Sequence, residues 1–356
     1  MKEGWTYKKL GEICEIKSGK SIKAAYISPE AGLNSIPCYG GNGIRGYVSK
    51  ANQAGNNPII GRVGAQCGNV HFCREPFYAT EHALVVAIKN TSIYPKWLCN
   101  LLVYMDLKQY AEGAAQPVIA ASRLTSLSIG VPPLSEQQRI VSYLDSAFAQ
   151  IDELKAKAEK QLSEAKALFQ KALSKAMEPK EGWENIKLGK FAYMKAGDFV
   201  KASDIYKEYK EGLFPCYGGN GLRGYVKTPN QNGDFCLIGR QGALCGCINR
   251  AQGIFRTTEH AVIVKPYRTI PVELVFYILL NANLNQYATG AAQPGLSVNN
   301  IAESVNINVP PKEQYKHIVY FLESFSANIK SLETNLNKIT AECAAFKQSI
   351  LRQVFE

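Results

Sequence analysis

Residues 37–48, Pro-Cys-Tyr-Gly-Gly-Asn-Gly-Ile-Arg-Gly-Tyr-Val, return as residues 215–226 with one change, Ile44 to Leu222. Most of the text from Trp5 onward lines up with the text from Trp183 onward at an offset of about 178 residues. A chain duplicated in this way must build one fold twice, and whatever surface that fold offers it must offer twice. Each copy also ends in a long stretch with helical character. A compact unit plus a long helix, repeated, suits the reading of two separated marks on one linear polymer.

At 356 residues the chain holds two domains of ordinary size, each able to bury its own core. A hydrophobic share of 46% and a charged share of 20% are those of a globular protein rather than a disordered one. There is no apolar run of about 18 residues and no apolar leader in Met-Lys-Glu-Gly-Trp-Thr-Tyr-Lys-Lys-Leu, so neither a membrane span nor an export signal is expected, and the expected location is cytoplasmic. The ten cysteines form no metal-type pairs; the closest, Cys245 and Cys247, has only one counterpart in the first copy. Cys38/Cys216 and Cys67/Cys245 recur within apolar or glycine-rich text and read as small buried thiols. Residues 1–178 carry 21 Lys and Arg against 15 Asp and Glu, and the rest 20 against 15, so both halves are basic. A basic balance shared by both copies suits a polyanion.

Each copy opens on Trp-x-x-x-x-Leu-Gly, read as a strand entering a short helix. The run Gly19-Lys20-Ser21 imitates a phosphate loop, but Cys14 stands where the first glycine belongs and Asp198 replaces Lys20 in the repeat. Short strands follow: Ile59–Gly68 against Leu237–Gly246, and Thr80–Val86 against Thr258–Val264, rich in β-branched residues and punctuated by glycine. A helical patch (Tyr94–Tyr110; Val272–Tyr287) leads to Gly-Ala-Ala-Gln-Pro at 113–117 and 290–294. Each unit is therefore expected to be mixed α/β.

After Pro132-Pro133 and Pro310-Pro311 come the long helices. In the second, Ile318, Leu322, Phe325, Ile329, Leu332, Leu336, Ile339, Cys343, Phe346 and Ile350 alternate by four and three, a heptad seam. The offset maps it onto Ile140, Leu144, Ala147, Ile151, Leu154, Ala158, Gln161, Ala165, Leu168 and Ala172, with Phe148, Leu162, Phe169 and Leu173 beside them. Helices of roughly 45 residues would be about 65 Å long. To bury its seam the second must fold back along the first, which predicts an antiparallel coiled coil, an internal pseudo-twofold and two domains held apart as on a ruler. Dimeric DNA-binding proteins read two half-sites with such symmetry.

These residues resemble the specificity subunits of type I restriction-modification systems. The resemblance spans the chain and rests on the Trp-x-x-x-x-Leu-Gly openings, the Gly-Arg-x-Gly and Thr-Glu-His-Ala runs, Val-Pro-Pro-Leu-Ser-Glu-Gln-Gln-Arg-Ile at 131–140, and its echo Val-Pro-Pro-Lys-Glu-Gln-Tyr-Lys-His-Ile at 309–318. The echo shifts Glu-Gln by one position, which touches the local helix start. The resemblance implies target recognition domains at 1–131 and 179–309, and spacer helices at 132–178 and 310–356. It implies docking of two modification (methyltransferase) subunits, with restriction subunits joining through them. Adenine methylation, S-adenosylmethionine and ATP would belong to those subunits, with no cofactor on this chain and sequence choice as its contribution. A stand-alone bipartite DNA-binding scaffold is the alternative.

No catalytic residues are expected. The only Asn-Pro, Asn57-Pro58, continues with Ile59-Ile60 rather than the Pro-Tyr or Pro-Phe of an adenine methyltransferase, and Glu-x-Lys runs such as Glu15–Lys17 do not recur in the other copy. The candidate DNA-binding residues recur as pairs: Asn42/Asn220 in the Gly-Gly-Asn-Gly turns, Arg45/Arg223 just after them, Arg62/Arg240 between glycines, Thr80/Thr258, His82/His260, and Gln116/Gln293 before a proline. Arginine can pair two atoms of guanine or a phosphate, and a carboxamide two atoms of adenine. For the histidines a structural role stands open beside DNA contact. If contacts repeat, the half-sites are related and inverted, diverging where the copies differ: Val63/Gln241, Gln66/Leu244 and Lys20/Asp198.

Overall fold

The computed structural model describes residues 4–242, 244–290 and 294–356. It divides into two compact units, Met1–Ala158 with Asn337–Glu356, and Glu159–Leu336. Both are mixed α/β.

In the first unit Thr6–Lys9 pairs antiparallel with Ser128–Val131, so the two ends of the domain close on each other. The chain then turns through the short helix Leu10–Ile13 into an antiparallel four-stranded sheet of order Cys14–Ser18, Ala83–Ile88, Asn57–Gly61, Val70–Cys73. Ala83–Ile88 lies centrally and begins with four consecutive buried residues, as a strand covered on both faces must. A smaller sheet sets the hairpin Ile36–Gly40/Gly43–Val48 beside Tyr78–Ala79, with a bulge between Cys38 and Tyr39. Helix Pro95–Tyr104 starts on a proline, which has no N–H to leave unpaired there, and buries Trp97, Leu98, Leu101 and Leu102.

The second unit repeats this order. Glu184–Lys187 pairs with Asn306–Val309, and the larger sheet runs Ala192–Ala196, Ala261–Pro266, Phe235–Gly239, Ile248–Ala251. The hairpin Phe214–Gly218/Gly221–Val226 bulges at the equivalent Cys216/Tyr217. Its smaller sheet gains a fourth strand, Gln231–Asn232, on Ile254–Thr257. Thr80–His82 and Thr258–His260, expected within strands, form turns; the strands begin at Ala83 and Ala261. In that turn the carbonyls of Thr80 and Thr258 accept the N–H groups of Ala83 and Ala261.

The long helices run Leu134–Ala176 and Tyr315–Phe355. The second is preceded by a 3-10 turn at Lys312–Gln314, where the sequence echo is shifted. Within each unit their segments pair antiparallel. In the first, Ile350 and Leu351 join the core with Ile140, Val141 and Leu144, and Lys347 Nζ meets Asp152 at 2.6 Å. In the second, Phe169, Leu173 and Met177 join the core with Ile318 and Leu322, and Lys166 Nζ meets Glu333 at 2.6 Å.

The strict seam does not hold throughout. Phe346 is 58% exposed and Lys347 turns inward in its place; Leu154 and Leu168, 61% and 57% exposed, yield to Lys155 and Phe169. A helix of 3.6 residues per turn drifts about 20° per heptad from a 3.5 repeat, so after several heptads the buried stripe moves over by one residue.

Candidate nucleic-acid interface

Four segments of the first domain converge on an open cavity of about 560 Å³. The hairpin tip Gly40–Arg45 supplies Asn42 and Arg45, the loop after strand Asn57–Gly61 supplies Val63 and Gln66, the turn at 80–82 supplies His82, and the loop at 111–118 supplies Gln116. The hairpin can turn because Gly43 holds φ +90°, a conformation that side chains resist. The far loop is fastened by paired Glu112 and Val118 N–H groups, each donating to the other's carbonyl, and by the Gly64 N–H donating to Pro117 O at 2.9 Å.

The second domain builds the same cavity, about 460 Å³, from Gly218–Arg223, Gln241, Gly242, Leu244 and His260. Gly221 repeats the turn at φ +92°. Asn42, Arg45, Gln66, His82 and Gln116 are thus gathered at one place, and Asn220, Arg223, Gln241 and His260 at its equivalent. Gln293 lies outside the described residues.

The electrostatic environment repeats as well. Burial pushes the Cys38 and Cys216 thiols up, opposed by the guanidinium of Arg45 in one copy and Arg223 in the other. His82 Nε2 stands 3.6 Å from Glu81 Oε1, and His260 Nε2 3.1 Å from Glu259 Oε1. The second oxygen of each glutamate is buried without a hydrogen-bond partner among the described residues.

The other candidates sit elsewhere. Thr80 and Thr258 are wholly buried, so the surface contact expected of them is closed off; their N–H groups donate to the carbonyls of Tyr39 and Tyr217. Arg62 and Arg240 are bonded to residues of the cavities without lining them. The Arg62 N–H donates to His82 O while its carbonyl accepts from Ile119 N–H, and its guanidinium reaches Glu81 O at 3.4 Å. Arg240 makes the same backbone bonds with His260 and Leu296, its Nε donating to Leu296 O at 3.2 Å. Lys20 is exposed away from the cavity, and its counterpart Asp198 accepts from Asn230 Nδ2 at 2.9 Å.

Ile44 and Leu222, each 53% exposed, also line the cavities and were not among the candidates. A branched aliphatic kept at a hairpin tip, where polar residues usually stand, was the available signal. No helix among the described residues is long and apolar enough to cross a membrane.

A duplicated mixed α/β domain, each copy followed by a long helix and each bearing the same open cavity, defines a two-module recognition architecture. The chain belongs to the type I restriction modification DNA specificity domain family, whose model matches residues 2–164 and 180–341. It is 40% identical over 165 residues to the type I restriction enzyme EcoprrI specificity subunit of Escherichia coli, covering 46% of this chain and 41% of that protein. To the EcoKI specificity subunit of Escherichia coli it is 26% identical over 276 residues, covering 64% and 57%. A putative type I specificity subunit of Mycoplasma pneumoniae matches at 23% over 252 residues, covering 65% and 64%. The match thus spans under half of the EcoprrI subunit's length. A chain solved in work on complex assembly and conformational transition of the type I restriction-modification system shares the fold, with a TM-score of 0.73, 17% identity, and coverage of 100% of this chain and 98% of that one.

Proposed function

We propose that this chain selects the DNA sequence for a type I restriction-modification assembly, each cavity reading one part of a bipartite site. The observation that carries the reading is the convergence of the same donors, Asn42, Arg45 and His82 in one copy and Asn220, Arg223 and His260 in the other, on one open cavity per domain. Asparagine amides match the N6/N7 edge of adenine, arginine the O6/N7 edge of guanine or a phosphate, and exposed Ile44 and Leu222 the thymine methyl. The excess of basic residues in both halves draws the duplex in.

Residues 1–131 and 179–309 act as target recognition domains, and the helices at 132–178 and 310–356 carry two modification subunits, with restriction subunits joining through them. Cofactor chemistry resides in those partners; this chain binds double-stranded DNA and orients it.

The test is a fluorescence-anisotropy titration of labelled duplexes with the chain and its modification subunits. N42A with N220A lowers affinity for the cognate duplex at least tenfold while leaving non-specific duplex binding unchanged. R45A lowers affinity for all duplexes and reduces the slope of log affinity against log salt by about 1 if Arg45 meets a phosphate. Unchanged cognate binding in the fourfold variant N42A/R45A/N220A/R223A would overturn the reading. Tight bipartite binding indifferent to modification subunits would establish the stand-alone scaffold instead.

A further inference from the structure

The two cavities share their glycine turn, asparagine, arginine and histidine, but at two lining positions three residues apart their chemistry is exchanged. The first copy places Val63 and Gln66 on the wall; the second places Gln241 and Leu244 at the same positions. An aliphatic group and a carboxamide have traded places. Lys20 and Asp198, which also differ, line neither cavity.

A third difference accompanies the exchange. Asn69 Nδ2 donates to Gln66 Oε1 at 2.7 Å, steadying that amide. The equivalent residue is Cys247, whose thiol donates to Gly219 O at 2.8 Å instead. The polar support occurs in the copy whose amide stands at that position, and is replaced where leucine stands there.

We infer that the two cavities take related half-sites: the bases met by the common residues agree, and the halves differ where the pair 63/66 faces the DNA in one domain and 241/244 in the other. This rests on the function proposed above. A carboxamide favours adenine through two hydrogen bonds, whereas an aliphatic group favours a thymine methyl and strands polar base edges. Moving the amide from one position to the other therefore moves the preferred purine without rebuilding the cavity.

The experiment expresses the full chain with its modification subunits in a host free of other adenine methylation and maps the methylated motif by single-molecule sequencing. The expected motif is bipartite, with two halves that agree at most positions when compared on the same or the opposite strand. V63Q/Q66L changes one half-site and leaves the other, the changed half coming to match its unchanged partner; the reciprocal Q241V/L244Q converts the second half to match the first. In binding, V63Q/Q66L loses about tenfold on the original duplex, the scale of one misread base pair, and regains it on a duplex carrying the second half-site twice. Because both pairs lie on surface loops, circular dichroism melts identify any variant that fails to fold, and the reciprocal variant then decides. Two half-sites with no shared bases overturn this inference and leave the proposed function standing, as the motif is still bipartite. An unchanged motif in both folded variants overturns the role of the exchanged pair. Absence of any chain-dependent methylation or binding overturns the proposed function itself.

Discussion

At the scale of single residues, a backbone oxygen decides two of the repeated glycines. A side chain begun at Gly61 would collide with Gly41 O, and one begun at Gly239 with Gly219 O, since there the strand passes directly under the hairpin tip that carries Asn42 or Asn220. G61A and G239A should each lower stability by about 1–3 kcal/mol, as overpacking does, seen as a lower urea midpoint. Gly32, with nothing near it, provides a control whose alanine variant stays within about 0.5 kcal/mol. Thiols give a second measurement. Burial pushes Cys14, Cys99 and Cys236 from 9.0 up to about 12. A raised folded value favours the neutral thiol, so this stabilisation is complete below pH 9, the unfolded value, and is lost as pH rises towards 12. The urea midpoint should fall across that window, and fall less in C14A/C99A/C236A. Repetition alone made Asn42, Arg45 and His82 legible in the sequence. It could not tell residues that line the cavity from those beside it: the Gly-Arg-x-Gly spacing signals close backbone approach, but the carbonyl that holds the Arg240 guanidinium belongs to Leu296, 56 residues away.

Among the elements, the long helices show how a pattern can be right in kind and wrong in detail. The alternation was read in the second helix and carried to the first by the repeat offset, and the transferred heptad named Leu154 and Leu168, which face solvent, and set Phe169 to one side although it is buried. L322A, at a residue with no exposure, should cost about 2–5 kcal/mol, whereas L154A should stay within about 0.5 kcal/mol. The helix start contains a residue that periodicity cannot single out. Gln137 is fully buried, its Oε1 accepting the Tyr94 N–H at 2.7 Å and its Nε2 donating to Ser92 O and Pro132 O, both at 2.9 Å. It ties the helix to the loop before Pro95. Q137A leaves these groups unpaired and should cost about 1–3 kcal/mol in chemical denaturation, while Q138A, on the exposed face, should change little. Two adjacent glutamines look alike in a sequence; only their packing separates them.

Over the whole molecule, contiguous stretches of sequence and compact units of structure do not coincide. The first unit recruits residues 337–356: Phe355 stacks on Tyr104 with ring centroids 5.4 Å apart, and Leu351 is 2% exposed. The heptad seam made the fold-back of the second helix readable, but no local signal near Trp97 or Tyr104 announces Leu351 or Phe355, some 250 residues later in the chain, as packing partners. L351A should therefore speed amide hydrogen exchange in helix Pro95–Tyr104 of the first unit more than in helix Val272–Asn281 of the second. The same shared core sets an order of events during synthesis. Residues 5–151 leave the ribosome before residues 350–355, so the core they share lacks Ile350 and Leu351 until the second unit, Glu159–Leu336, has been made, and the first unit is completed only after the second has emerged.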